Sequence, residues 1–206
     1  MKLRIRTVLL LAILLILCPF AMEARYPTLA PQAVQDEGRT FAQVTLERLL
    51  PTPFGRSTRG QALIHTARET LNEKRVFFSA ALGGPRGQSI VRLFGRRRIY
   101  LKVIQVNGEV YLHQRDWQLA EALIHESVHA RVGGIRTASF EEECDAFAAG
   151  LQAEAAIRKV TPTTPLTIDR LPIAEFIRRQ YPRIKSRPDY QPVAITREEL
   201  GRLAGF

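Results

Sequence analysis

Apolar positions recur along this chain in two rhythms, and the switches between them mark its elements. From Phe41 to Leu50, Phe41, Val44 and Leu49 fall near a helical stripe that Pro51 and Pro53 interrupt. From Arg59 to Lys74, Ala62, Leu63, Thr66, Ala67, Thr70 and Leu71 follow at three- and four-residue spacing, which predicts a helix lying on a sheet. The rhythm then shortens. Val76 to Leu82 and Ser89 to Phe94 are brief apolar runs separated by Gly83-Gly84-Pro85, and they predict strands. Ile99 to Val106 and Glu109 to His113 flank Asn107-Gly108, a dipeptide that tolerates positive φ at both positions, so a hairpin with a two-residue turn is expected over Arg98 to His113.

Helical spacing returns directly after the hairpin. Asp116 is a suitable N-cap for a helix from Trp117 to about Val132 with the core stripe Ala120, Leu123, Ile124 and Val128. Gly133-Gly134 is expected to end it with a left-handed cap, and Ser139 to open a second helix from Phe140 to about Lys159. Beyond Val160, Pro162, Pro165, Pro172, Pro182, Pro188 and Pro192 predict an extended strap. A short helix near Ala174 to Gln180 interrupts it, and Thr196-x-x-Glu199 caps a last one ending near Gly205. Pro27 and Pro31, without sustained periodicity, make residues 25–38 a linker. The expected fold is α+β: a short mixed sheet with a hairpin packed on helices, in one domain over 39–160, with a Pro-rich C-terminal extension over 161–206.

The helix after the hairpin carries His125-Glu126-Ser127-Val128-His129, an HExxH motif. Histidines four apart project from one helix face, close enough for both imidazoles to reach one metal ion. Glu126 lies between them, where its carboxylate can hold and deprotonate a water bound to that metal. A catalytic zinc takes three protein ligands, so two histidines are incomplete. Glu141, Glu142 and Glu143 fall in the first turn of the next helix, and a wheel separates them. The stripe Phe140, Cys144, Phe147, Ala148 and Leu151 has Glu141 and Asp145 on one border and Glu143 on the other, while Glu142 points to solvent and completes a capping box with Ser139. The expected ligands are therefore His125, His129 and Glu141, with Glu143 the second choice. Asp145 is expected to fix the tautomer of a ligand histidine.

Composition and charge add the cellular setting. Lys2, Arg4 and Arg6 followed by the apolar run Val8 to Leu17 have the layout of a secretory signal, so residues 1–24 are a signal peptide or N-terminal anchor and the protein is expected to be exported to the periplasm, the cell envelope or the exterior. Cys18 is poorly placed for lipid attachment, which leaves Cys144, read as a small buried hydrophobe, and no internal disulfide beyond residue 24. The formal charge is +10, and 27 basic against 19 acidic residues after residue 24 still give +8. The triplet Arg96-Arg97-Arg98 reads as a solvated hairpin end and His65 as a polar flank residue. No nucleic-acid module or basic–aromatic interleaving appears, so nucleic acid is not an expected partner, whereas an anionic envelope or membrane surface is. No phosphate-binding glycine pattern appears either.

His125-Glu126-x-x-His129 followed by Glu141-x-x-Cys144-Asp145-x-Phe147-Ala148 resembles the gluzincin metallopeptidases, in which a glutamate on a following helix completes HExxH, and most nearly the minimal ImmA/IrrE-like forms. The shared order of helix, short sheet, motif helix and glutamate helix runs from about Arg59 to Lys159. The resemblance implies a zincin-like fold, Zn2+, a peptide or protein substrate and peptide-bond hydrolysis with Glu126 as general base. The strand Glu109 to His113 would pair an extended peptide along its edge, with Tyr111 and His113 read as structural. The rival expectation is a non-catalytic envelope binding module that keeps the fold, its strap filling the cleft.

Overall fold

A computed structural model describes residues 28–79, 87–91, 97–106, 109–111, 115–133, 138–162 and 166–205. The expected signal segment and His113 lie outside these residues. Among the described residues, no helix is long and apolar enough to cross a membrane.

The chain enters through α1 (Gln32–Leu49), α2 (Pro53–Arg56) and α3 (Thr58–Asn72). Residues 28–38 are no free linker: Ala30 N donates to Phe78 O at 2.9 Å, and the buried Gln35 amide donates to Ala30 O and Phe78 O while accepting from Phe78 N. A glutamine can hold backbone groups on both sides because its amide both donates and accepts. It pins the start of α1 to β1 (Val76–Ser79). That strand pairs in parallel with β3 (Arg97–Lys102), and β2 (Gly87–Val91) pairs antiparallel on the other side, giving a mixed sheet of order β1-β3-β2. The expected long strand through Val106 is broken at Val103, whose N–H turns to Ser79 O. β4 (Ile104–Val106) and β5 (Glu109–Tyr111) form a separate hairpin in the register Val106↔Glu109 that a two-residue turn requires.

Two long helices carry the motif residues. α4 (Asp116–Val132) lies at the centre, against α1, α3, the sheet and α5 (Phe140–Arg158). It is buried almost all round, and every residue from Ala122 to His129 is shielded from solvent. Gly133 ends it at φ 69°, a conformation open to glycine. Asp116 occupies the first helical position, accepting from Trp117 N and pairing with Arg48, while Arg115 is the N-cap.

α5 presents different faces to its two neighbours. Small residues, Ala146, Ala149, Gly150 and Ala153, face α4. A Cβ added at Gly150 would stand 2.8 Å from Glu121 O and 3.4 Å from His125 Cβ, so glycine is what lets the two backbones meet this closely. The larger stripe, Phe140, Cys144 and Ala148, turns away and packs with Ile173, Ile177, Tyr190, Ile195 and Leu200 in a second apolar cluster. That cluster is built by the C-terminal segment: a hairpin of β6 (Thr167–Ile168) and β7 (Leu171–Pro172), then α6 (Ile173–Gln180) and α7 (Arg197–Ala204). The segment is a folded layer over α5, with Thr196 and Glu199 capping α7 reciprocally at 3.0 and 2.7 Å.

Candidate metal centre

The close approach of α4 and α5 decides which side chains meet. His125 Nε2 and His129 Nε2 are 3.2 Å apart, and the Glu143 carboxylate places Oε2 at 3.6 Å from the first and Oε1 at 3.6 Å from the second. One ligand atom from each of the three lies within 4.8 Å of the others, and all three residues are buried. Glu143 shares the small-residue face of α5, which is why it reaches the histidines.

Glu141, the expected third ligand, is not part of this group. It is buried, but its carboxylate accepts from Ser186 Oγ and from Arg187 N at 2.6 Å, both in the C-terminal segment. Asp145, expected beside a ligand histidine, is likewise turned to that segment and accepts from Tyr190 Oη, Val193 N, Ala194 N and Ile195 N. Glu142, expected in solvent, is only 2% exposed and pairs with His129 Nδ1 at 2.8 Å. Its backbone N–H takes the Ser139 cap, but its carboxylate has the orienting task expected of Asp145. With Nδ1–H donated to Glu142, Nε2 of His129 is the nitrogen left to face Glu143, and a cation bound between them would take its lone pair. His125 is steadied on its other side by the Phe147 ring, edge to face at 4.4 Å between centroids.

Arg97 is a further member that the sequence did not reveal. It is not solvated: as the first residue of β3 it is 8% exposed, donates from Nη2 to Gly133 O, and lies in the field of Glu142, Glu126 and Glu143. Its neighbours Arg96 and Arg98 gave no signal separating it from a surface run. His65, by contrast, is exposed and pairs with Glu69. Cys144 is buried in the second cluster, where desolvation pushes its thiol up to about 12.

The centre fits a divalent cation. Three carboxylates against one guanidinium leave two negative charges in a buried volume, a cost that a bound dication offsets. Glu126 Oε2 and Glu143 Oε2 are buried without a hydrogen-bond partner, an arrangement that buried oxygens avoid unless something else binds them. Two imidazole nitrogens with one carboxylate form the donor set of catalytic zinc sites.

Without a cation, protons carry the charge balance. Burial and the adjacent His129 hold His125 well below its ordinary value. Burial also acts to lower His129, but the Glu142 hydrogen bond and the charges of Glu143, Glu126 and Glu142 outweigh it and push it up to about 9. Burial, aided by Glu143 and Glu121 against the opposing pull of His129 and Arg97, raises Glu126 to about 8. The proton on His129 stabilises the fold fully below its unfolded value of 6.5, and that contribution is lost as pH rises through about 9. Glu126, raised above its unfolded value, likewise loses stability as pH rises through about 8. The thermal midpoint of metal-free protein is therefore expected to fall between pH 6.5 and 9, and saturating Zn2+ to remove most of the fall; a flat or rising midpoint contradicts this charge assignment.

Comparison with protein-family models, curated proteins and solved structures finds no match for this chain.

Proposed function

We propose that this protein is an exported zinc-dependent hydrolase of the zincin type, acting on peptide bonds. The observation that carries the reading is the convergence of His125, His129 and Glu143 from two helices, with Glu126 beside them and one carboxylate oxygen unpartnered. Export rests on the basic and apolar pattern of residues 1–24. His125 Nε2, His129 Nε2 and Glu143 would hold the zinc. Bound there, zinc would supply an electrophile for the substrate carbonyl and favour ionisation of the attacking water.

The protein residues divide the remaining tasks. Glu126 Oε2, buried and without a hydrogen-bond partner, takes a proton from the attacking water and returns it to the departing amine. A nearby dication favours the ionised carboxylate and opposes the rise that burial imposes on Glu126. Glu142 fixes the tautomer of His129, and Phe147 keeps the His125 ring from rotating. Arg97 offsets part of the carboxylate charge from the sheet side. The buried setting strengthens each of these interactions relative to water.

The direct test is a peptide library incubated with the zinc-loaded protein. Cleavage that a chelator stops and added Zn2+ restores is the expected result. Failure to cleave any member across neutral pH, with zinc bound, would favour a binding module built on the same centre.

A further inference from the structure

The C-terminal ends of α1 and α5 flank an open groove of about 980 Å³. Pro51, Pro53 and Phe54 form one wall, and Ile157, Val160 and Pro162 the other. α5 rises about 21 Å between Glu143 and Ile157, so the groove is separate from the histidine site. The sequence shapes both walls. Pro51 and Pro53 end α1 and restart the chain as α2, with Thr52 N donating to Leu49 O at 3.0 Å and Thr52 Oγ1 capping Gly55 N at 3.1 Å. Opposite, Lys159 takes φ 56° and Val160 N returns to Ala155 O at 3.0 Å, which turns the chain off α5. Glycine would adopt that φ without strain, yet a lysine stands there.

The groove joins exposed apolar surface to unmatched positive charge. Val160 is 49% exposed, one of three large apolar residues left so open among the described residues, and Pro51, Pro53 and Pro162 beside the groove are exposed as well. Apolar surface that converges from two segments and stays open to water marks a binding site. Arg48 and Lys159 also line the groove, and Arg56 and Arg158 adjoin lining residues in the chain. Asp116 pairs with Arg48, and Glu154 with Arg158. Lys159 and Arg56 are exposed and belong to no ion pair among the described residues.

We propose that this groove is a docking site for an anionic phospholipid, with an acyl chain along the apolar floor and the phosphate at the rim beside Lys159 and Arg48. Hydrocarbon matches the floor and an anion matches the rim, and such a lipid carries both on one molecule. The groove surface is mostly apolar, so a peptide backbone laid there would leave its polar groups unmet, whereas an acyl chain has none to satisfy. The formal charge of +10 attracts the protein to the same surface from a distance. This end of the helical layer thereby rests on an anionic membrane, and the metal centre stands about 20 Å away along α5. The site is independent of any reaction at that centre.

The probe is dihexanoylphosphatidylglycerol below its micelle concentration, titrated calorimetrically into the full-length protein. A second signal is the fluorescence of Trp117, the one tryptophan of the chain, whose ring lies under the Arg158 guanidinium at 5.1 Å. Saturable binding of one lipid per chain is expected, about tenfold or more tighter than that of dihexanoylphosphatidylcholine. The double variant Arg48→Gln/Lys159→Gln should bind the anionic lipid about 25-fold more weakly, about fivefold for each charge removed. It should still fold, since both side chains are exposed and a surface ion pair adds little stability. Arg179→Gln/Arg183→Gln takes the same charge from exposed positions in the C-terminal layer and should bind as wild type does. Absence of binding, equal affinity for the two lipids, or equal affinity for glycerol 1-phosphate, which has the charge without the chains, overturns the proposal. So does an Arg48→Gln/Lys159→Gln protein that binds no more weakly than wild type or than the control variant.

Discussion

Replacing Glu126 by glutamine is expected to abolish hydrolysis while leaving zinc in place. The side chains match in size, so the packing of the motif helix should survive, but an amide cannot accept a proton from water at neutral pH. Glu126 is 4% exposed, and one of its oxygens has no other employment in the fold. It lies outside the group of three whose side chains converge closely enough to hold a metal ion. Loss of a general base costs about 10²–10⁴ in rate, so kcat should fall by that factor at unchanged metal content. Glu126→Gln should also flatten the alkaline fall in the metal-free midpoint, because it removes the group titrating near 8. A variant within a few-fold of wild-type kcat would show that another group moves the proton.

The second large effect separates the three adjacent glutamates. Glu143→Ala is expected to lower zinc affinity by more than about 100-fold, beyond the 10–100-fold typical of residues that only orient a ligand. Glu142→Ala should fall within that smaller range, since it frees His129 Nδ1 without removing a donor to the metal. Glu141→Ala should leave zinc affinity near wild type and lower the thermal midpoint instead. Its carboxylate holds Ser186 Oγ and Arg187 N, and each hydrogen bond lost costs about 0.5–1.5 kcal/mol net. Calorimetric titration of zinc into the three variants, with melting curves for each, gives three distinct signatures. Glu141→Ala losing zinc while Glu143→Ala retains it would reverse the assignment.

That ordering shows what the sequence could and could not reveal. The two helices were legible because their apolar periodicity is strong and Gly133 and Ser139 punctuate them. HExxH was legible because its geometry is local to one helix: His125 and His129 need no distant residue to share a face. The choice among Glu141, Glu142 and Glu143 was not local. It turned on which face of α5 meets α4, and the large stripe of Phe140, Cys144 and Ala148 looked like the inner one. Helices that approach closely do so over small residues, so Ala146, Ala149, Gly150 and Ala153 form the face toward the histidines. The larger stripe serves a second core whose other half lies beyond residue 166.

Prolines in the C-terminal segment hid the same fact from the other side. Their spacing implies extended chain, yet an extended chain can still cover a helix when carboxylates bind its backbone. Asp145 does so, accepting from three consecutive N–H groups at Val193, Ala194 and Ile195. Nothing in the spacing of Asp145 marked that partner, and its position one turn after Glu141 suggested a role beside the metal. Arg97 was obscured in another way: consecutive residues of a strand point to opposite faces, so Arg97 can be buried while Arg98 beside it in β3 is only partly so.

The central claim is that two helices assemble a zinc site from His125, His129 and Glu143. Its most direct test is elemental analysis of full-length wild-type protein purified without chelator or added metal. The claim predicts about one equivalent of zinc per chain, removed by prolonged chelation and restored by stoichiometric Zn2+. Protein that is well folded, carries no metal and takes up none from micromolar Zn2+ would contradict it.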